Sequence, residues 1–199
     1  GTGYGRNKVP QADENISEIS CHAMGVHVTD PSVRAIIDIG GQDVKGIAVD
    51  TDGTVKTFAM NDKCAAGTGR FFESMANAFE MSLEEFSKLS LTAENVIPIT
   101  AQCTVFAESE VISLIGQGEK KENIAFAVVD SIVRKVAAQA NRMSEDRPML
   151  CLTGGLCECS YISEALTKEL GMEVKTDPQS RYAGAIGAAL GAVKKGKKN

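Results

Sequence analysis

Cys64 has a sequence setting that could activate its thiol. It precedes Gly67 and Gly69, and apolar residues follow these glycines at three- and four-residue steps over residues 71–79. This spacing predicts an amphipathic helix. The free amide groups and the dipole at a helix N-terminus favour a thiolate, and thiolates bind iron. Cys64 is therefore a candidate metal ligand.

Cys103 repeats this arrangement. Residues 96–100 have the pattern of a strand that leads to Cys103, and residues 104–115 have the pattern of a helix. A 4Fe-4S cluster usually takes four cysteine ligands, whereas two cysteines of this chain share such a setting. A symmetric dimer would supply four, with helix N-termini offsetting the negative charge of the cluster. From spacing alone, two ordinary buried cysteines remain the simpler interpretation.

A carboxylate, Asp38, stands at the end of an apolar run and is followed by Gly40, Gly41 and Gln42. Glycine amides can approach an anion closely, and Mg²⁺ prefers one or two carboxylates together with phosphate oxygens. The turn therefore fits a phosphate and its magnesium ion. Many hairpins contain aspartate and glycine without binding a ligand, so the pattern alone leaves both interpretations open.

Thr153, Gly154 and Gly155 form a second glycine turn between a predicted strand and a predicted helix. Ligands of α/β sheets bind at such strand ends. Taken alone, this pattern is weak evidence for a site.

The other cysteines are assigned less specific roles. Cys151, Cys157 and Cys159 are close enough in sequence for a second metal site, but buried or incidental thiols are the simpler interpretation. Cys21 and His22 fall within a predicted helix over residues 14–24. We expect Cys21 to be a core thiol and His22 to be a surface or core histidine whose hydrogen bonds are satisfied.

Alternating strands and helices must position these segments. Apolar periodicity predicts three antiparallel strands, a group of helices and a strand at 96–100, and then further alternation of strands and helices. The remaining predicted strands are 35–39, 44–49, 55–60, 149–153 and 173–176, and the helices that follow Cys64 are 71–79, 83–89, 104–115, 124–143, 162–170 and 182–193. The order βββαβαβα is that of an α/β layer fold.

Composition limits the class of protein. The chain has 199 residues, of which 43% are hydrophobic, enough for one substantial core or two small lobes. A net charge of −5 argues against general nucleic-acid binding. The sequence has neither an apolar run of roughly 18 residues nor a signal-peptide pattern, so we expect no membrane span and a cytoplasmic location. Its six cysteines are then expected as thiols or metal ligands.

Four segments together resemble the ATP-dependent activators of 2-hydroxyacyl-CoA dehydratases and the related ATP-binding subunits of benzoyl-CoA reductase. They are residues 38–45, 61–70, 103–110 and 153–155. The two cysteine segments are the most specific, and the resemblance extends over essentially the whole chain. It implies an actin/hexokinase-like ATPase fold, also called ribonuclease H-like.

The resemblance implies an electron-transfer activity driven by ATP. Cys64 and Cys103 match the positions that ligate one 4Fe-4S cluster shared across a homodimer. In such proteins, binding and hydrolysis of ATP alter the helices that carry the cluster. An electron from ferredoxin or flavodoxin is then passed at lower potential to a partner acyl-CoA dehydratase or reductase component.

The resemblance also assigns the nucleotide site, in which ATP or ADP binds with Mg²⁺. The second phosphate-binding segment of the family matches Asp38, Gly40, Gly41 and Gln42, with Asp38 and Gln42 as the catalytic candidates. The adenosine-binding turn matches residues 153–155, that is Thr153, Gly154 and Gly155.

The resemblance further implies a division into lobes. Residues 1–32 match a remnant of the first ATPase lobe and residues 33–199 match the second lobe, and we expect helix 182–193 to pack back on the first lobe. The first phosphate-binding hairpin of the family, which precedes the segment matching residues 1–6, is absent. Residues 156–160 also differ from the small residues and asparagine that the family usually has there.

Two other functions stay open at this point. One is a sugar- or acetate-kinase-like phosphotransferase on the same fold. The other is a truncated paralogue that binds nucleotide or dimerises without catalysis. The kinase alternative would need a catalytic base near the γ-phosphate, which the sequence does not reveal.

Overall fold

A computed structural model of the protein describes residues 1–62, 67–100, 103–142 and 149–196. Its centre is a mixed sheet with the strand order β3-β2-β1-β4-β5. The strands are β1 (Ala35–Ile39), β2 (Val44–Val49), β3 (Val55–Asn61), β4 (Leu150–Gly154) and β5 (Val174–Lys175). Strands β1, β2 and β3 pair antiparallel, whereas β4 pairs parallel with both β1 and β5.

Helices cover both faces of this sheet. They are α1 (Glu18–Thr29), α2 (Gly69–Ala78), α3 (Leu83–Ser90), α4 (Thr104–Gly116), α5 (Lys121–Asn141), α6 (Ser160–Leu170) and α7 (Ala183–Gly196). Because α2 to α5 follow one another between β3 and β4, the elements from β1 onward have the predicted order βββαβαβα, which has five strands and leaves out the predicted strand at residues 96–100. Within the described ranges, every helix is too short or too polar to cross a membrane.

Side chains of β1 alternate between two cores. Ile37 and Ile39 join the larger core with α2, α3, α5 and α6, whereas Ile36 joins a smaller core under α1 and α7. Successive residues of a strand point to opposite faces, so Asp38 lies on the same face as Ile36. The α1 and α7 side of the sheet therefore receives the polar residues at the end of β1.

Helix α7 packs directly against helix α1. A Cβ atom added at Gly187 would overlap the carbonyl oxygen of Cys21, and one at Gly25 would overlap the carbonyl oxygen of Ala183. The absence of side chains at these two positions lets the backbones touch. The predicted division of the chain into two lobes is not tested by this packing and stays a prediction.

The predicted strand at residues 96–100 does not form, and these residues have no regular secondary structure. Val96 is 78% exposed, and Pro98 has no amide hydrogen for a ladder hydrogen bond. The carboxylate of Glu110 on α4 instead accepts hydrogen bonds from the amide and hydroxyl of Thr100, at 2.8 and 2.7 Å. A side chain thus takes the place of a neighbouring strand.

Candidate functional site

Asp38 lies at the centre of a buried polar cluster at the ends of β1 and β4. The register places Lys45 of β2 opposite Asp38, and Thr153 of β4 beside it. The Thr153 hydroxyl donates a hydrogen bond to Oδ1 of Asp38 at 2.9 Å, and Lys45 Nζ donates to Oδ2 at 3.2 Å. All three residues are at most 4% exposed. Both carboxylate oxygens are therefore held from opposite sides.

Helix α1 adds two residues that the sequence analysis did not assign to the site. Glu18 Oε1 lies 3.0 Å from Lys45 Nζ. His22, one helical turn later, has its Nδ1 atom 3.2 Å from the Thr153 hydroxyl and 3.6 Å from Oδ1 of Asp38. The i, i+4 spacing of Glu18 and His22 puts them on one helix face, and this was the available signal. The expectation that His22 has its hydrogen-bonding capacity satisfied is confirmed by this contact, whereas its place beside Asp38 was not predicted.

Lys45 is the cation of the cluster. Its Nζ atom also lies 2.7 Å from a carboxylate oxygen of Asp43, so three carboxyl groups surround one ammonium group. Burial lowers the Lys45 pKa, but the charge of Asp38 and the hydrogen bonds to Asp43 and Glu18 raise it by more. The net pKa lies above the usual value for lysine, so Lys45 stays charged at neutral pH.

The predicted glycine turns lie beside this cluster. Gly154 has φ +85, and a Cβ atom there would overlap the carbonyl oxygen of Ile39. The carbonyl oxygens of Gly40 and Gly41 accept hydrogen bonds from the amides of Gly69 and Arg70, at 2.9 and 3.0 Å. The turn after β1 is therefore attached directly to the first residues of helix α2.

Two of the predicted site residues line separate cavities. Gln42 lines a cavity of about 640 Å³ together with Asp43 and Glu18. Gly155 instead lines a cavity of about 410 Å³ next to α3 and α6. The structure thus brings Asp38, Thr153 and Gly154 together, whereas Gln42 and Gly155 line different cavities. Their roles toward a nucleotide stay predictions.

Cys103 is the N-cap residue of α4 and is half-buried. It lines a cavity of about 680 Å³ with the basic residues Arg134, Lys135 and Arg142. Cys64, the other predicted iron ligand, lies outside the described residues. Among the residues that the structure describes, no three His, Cys, Asp or Glu side chains are grouped to hold a metal ion. The pairing of Cys64 with Cys103 therefore stays a prediction.

Three further thiols, Cys151, Cys157 and Cys159, lie on β4 or in the residues that follow it. Burial raises the pKa of the Cys151 thiol to about 11, against a smaller lowering by the Ser180 hydroxyl 3.7 Å away. Burial also raises the pKa of Cys157. Cys159 is the half-buried N-cap residue of α6 and lies 3.4 Å from the Ser87 hydroxyl.

Comparison with known proteins gives close relatives. The chain is 46% identical over 198 residues to the (R)-2-hydroxyglutaryl-CoA dehydratase activating ATPase of Acidaminococcus fermentans, covering 99% of this chain and 75% of that protein. The solved structure of the activator of the 2-hydroxyisocaproyl-CoA dehydratase from Clostridium difficile, with bound ADPNP, superimposes with a TM-score of 0.90. It is 42% identical, and the match covers 99% of this chain and 73% of that one.

More distant structures support the fold class alone. A ligand-bound xylulose kinase from Lactobacillus acidophilus matches with a TM-score of 0.62 at 12% identity, over 93% of this chain and 43% of that one. The predicted actin/hexokinase-like α/β fold is confirmed by these matches. The sequence profile of one ATPase family matches residues 1–192, which confirms the resemblance drawn from the four segments. The chain belongs to the BadF/BadG/BcrA/BcrD ATPase family.

Proposed function

We propose that this protein is an ATP-dependent activator of a 2-hydroxyacyl-CoA dehydratase. In this proposal two copies share a 4Fe-4S cluster, and the activator passes an electron from ferredoxin or flavodoxin to the dehydratase. The observation that carries the proposal is the 46% identity, over 99% of the chain, to a dehydratase-activating ATPase. The buried polar side chains around Asp38 also support the proposal, since an ATPase needs a carboxylate to orient the attacking water.

Asp38 is the residue that we assign to ATP hydrolysis. Its carboxylate is buried at strand ends, where sheets of this class bind ligands, and each oxygen keeps a lone pair beyond its present hydrogen bond. We assign Asp38 to orienting the attacking water and Gln42 to assisting it. We assign the turn at Gly40 and Gly41 to the phosphates and residues 153–155 to the adenosine. When bound, Mg²⁺ neutralises phosphate charge.

Two hydrogen bonds join the turn after β1 to the start of α2. Gly40 and Gly41 accept hydrogen bonds from the first two residues of α2, and Cys64 precedes this helix by five residues. A shift of the turn when ATP is hydrolysed would therefore move the start of α2. Such a shift would change the position of the Cys64 segment and hence the surroundings of a bound cluster.

We assign Cys64 and Cys103 from each of two copies as the four ligands of the proposed 4Fe-4S cluster. Cys103 fits this role because it is the half-buried N-cap residue of α4, and the amide groups and dipole at a helix N-terminus offset the negative charge of such a cluster. When bound, the cluster supplies a low-potential electron, and its potential responds to charge, hydrogen bonds and solvent exposure.

Iron analysis after anaerobic reconstitution tests the cluster. We expect about four irons per dimer, and we expect Cys64→Ser or Cys103→Ser to abolish iron binding and the dimer that depends on it. Cys159→Ser is the matched control, because Cys159 is also a half-buried N-cap cysteine. Full iron loading in Cys64→Ser would exclude the assigned ligand set.

Steady-state ATP hydrolysis separates this function from a small-molecule kinase. We expect the reduced, cluster-loaded protein to hydrolyse ATP without an added acceptor, and Asp38→Asn to lose this activity. If the protein held no iron and consumed ATP only when a sugar or carboxylic acid was added, the result would support a phosphotransferase instead. Cluster binding without any ATP hydrolysis would support a non-catalytic paralogue.

A further inference from the structure

Two side chains, His22 and Thr153, form a line of polar contacts behind the Asp38 carboxylate. The His22 Nδ1 atom lies 3.2 Å from the Thr153 hydroxyl, which in turn lies 2.9 Å from Oδ1 of Asp38. Thr153 is fully buried, and the His22 side chain is 13% exposed. These contacts join helix α1 to the ends of β4 and β1.

The direction of each hydrogen bond follows from the proton inventory. The Asp38 carboxylate accepts, so the Thr153 hydroxyl gives its single proton to Oδ1. The same hydroxyl can then only accept from His22, which requires a proton on Nδ1 of the imidazole. The chain of donors therefore runs from His22 through Thr153 to Asp38.

The packing around His22 leaves the imidazole ring little freedom. A Cβ atom added at Gly184, near the start of α7, would lie 3.0 Å from Nε2 of His22. Helix α7 thus covers the edge of the ring opposite Thr153, and glycine provides the space. The ring is held between α7 and the end of β4.

We propose that His22 is a positioning residue for the Asp38 carboxylate. Its Nδ1 proton fixes the Thr153 hydroxyl, which fixes Oδ1, while Lys45 fixes Oδ2. The inference rests on the proposed function, since it takes Asp38 as the residue that serves ATP hydrolysis. A carboxylate oriented before the nucleotide binds needs no reorientation during the reaction, which is the advantage of a preorganised site.

Kinetic comparison of His22 variants tests this role. We expect His22→Ala to lower kcat for ATP hydrolysis about 10- to 100-fold, with little change in KM, because the residue orients a reacting group without touching the nucleotide. We expect His22→Asn to restore most of kcat, since the asparagine amide can donate from near the Nδ1 position. An unchanged kcat in His22→Ala, or an asparagine variant no better than alanine, would overturn the inference.

The matched control is the other histidine of the chain. His27 is on the same helix, and its Nδ1 atom is buried without a hydrogen-bond partner in the described part of the chain. We expect His27→Asn to keep the kcat of the unmodified protein. Equal losses of kcat in His22→Ala and His27→Asn would mean that any disturbance of α1 lowers activity. The specific role of His22 would then be rejected.

Nitrogen-15 NMR of the two imidazoles gives a readout that is independent of ATP hydrolysis. We expect His22 to carry its proton on Nδ1, and we expect its nitrogen shifts to change in Thr153→Val while those of His27 do not. An unprotonated Nδ1 in a protein that hydrolyses ATP would overturn the positioning role alone. A protonated Nδ1 in a protein without ATPase activity would confirm the contact geometry, but the role in hydrolysis would be rejected together with the proposed function.

Discussion

At the scale of single residues, Lys45 determines whether the cluster at the strand ends can exist. Three carboxyl groups, from Glu18, Asp38 and Asp43, approach its ammonium group within 3.2 Å. Since the ammonium group is only 3% exposed, little water can screen these groups from one another. Removing the cation would leave these carboxylates close together without a compensating positive charge.

We therefore expect Lys45→Met to lower the free energy of unfolding by about 3–5 kcal/mol, the usual cost of removing one partner of a buried ion pair. Urea denaturation measures this change. Lys56→Met is the matched control, because Lys56 is exposed on the adjacent strand β3, and its effect is expected within about 0.5 kcal/mol. Similar values for both variants would show that the carboxylates do not depend on Lys45.

The contribution of Lys45 to the free energy of unfolding depends on pH. The folded pKa of Lys45 is raised, so its contribution to stability is fully present below the unfolded lysine pKa of about 10.4 and is lost as pH rises through the folded pKa. We expect the stability difference between Lys45→Met and the unmodified protein to be constant near neutral pH and to shrink above about pH 10.4. A difference that shrank between neutral pH and about pH 9 would contradict the raised pKa.

At the scale of elements, the contact of α1 with α7 depends on missing side chains. Cβ atoms at Gly25 and Gly187 would meet backbone atoms of the opposite helix, and backbone cannot move aside as a flexible side chain can. Since α1 carries Glu18 and His22, the close contact also determines how deeply these residues reach the cluster.

We expect Gly187→Ala to lower the free energy of unfolding by about 1–3 kcal/mol, because overpacking outweighs the better helix propensity of alanine. Gly116→Ala is the matched control, since Gly116 ends α4 and a Cβ atom there meets nothing within 4 Å. That variant is expected to be neutral or up to about 1 kcal/mol more stable. Chemical denaturation would contradict the packing argument if both variants shifted stability in the same direction.

Helix α3 has a start that can be tested separately. The Ser82 hydroxyl accepts from the amide of Glu85 at 3.2 Å, and the Glu85 carboxylate accepts from the amide of Ser82 at 2.8 Å. We expect Ser82→Ala to cost about 1 kcal/mol, because a helix-terminal amide loses its acceptor. Ser113→Ala is the control, because it removes an exposed hydroxyl that donates a hydrogen bond within α4. Urea denaturation should show that its free energy of unfolding changes by less than about 0.5 kcal/mol.

At the scale of the whole molecule, Asp38 connects the two parts of the sheet. It pairs with Lys45 of the antiparallel part and with Thr153 of the parallel part, and the turn after it is bonded to α2. A nucleotide that bound at this junction would contact groups from several elements at once. Binding should therefore stabilise the folded chain as a unit.

We expect Mg²⁺ and ADP to raise the free energy of unfolding by about 2.7 kcal/mol at a ligand concentration 100 times the dissociation constant. Asp38→Asn should remove most of this gain, because the proposed site loses the carboxylate beside which Mg²⁺ and the phosphates would bind. Asp13→Asn is the control, because Asp13 is an exposed aspartate in the N-terminal segment. This variant should keep the full stabilisation by Mg²⁺ and ADP. A full nucleotide effect in Asp38→Asn would place the binding site elsewhere.

Local patterns in the sequence were sufficient for most of the elements. Alternating and helical periodicity predicted the strands β1 to β4 and the helices α2 to α7 to within a few residues, because side-chain spacing follows directly from backbone geometry. The predicted strand at residues 96–100 failed because an apolar run does not reveal whether a neighbouring strand is available. Glu110, ten residues later, supplied the hydrogen-bond acceptor instead.

The sequence by itself determined the family, the order of the elements and the presence of two glycine turns. Each of these features follows from short segments whose residues are close together in the chain. Only the tertiary structure decided that His22 meets Thr153, 131 residues away, and that Lys45 is enclosed by carboxylates from three different parts of the fold. The physical reason is that such contacts depend on strand register and on the depth at which α1 packs under α7. Neither quantity is encoded in local spacing.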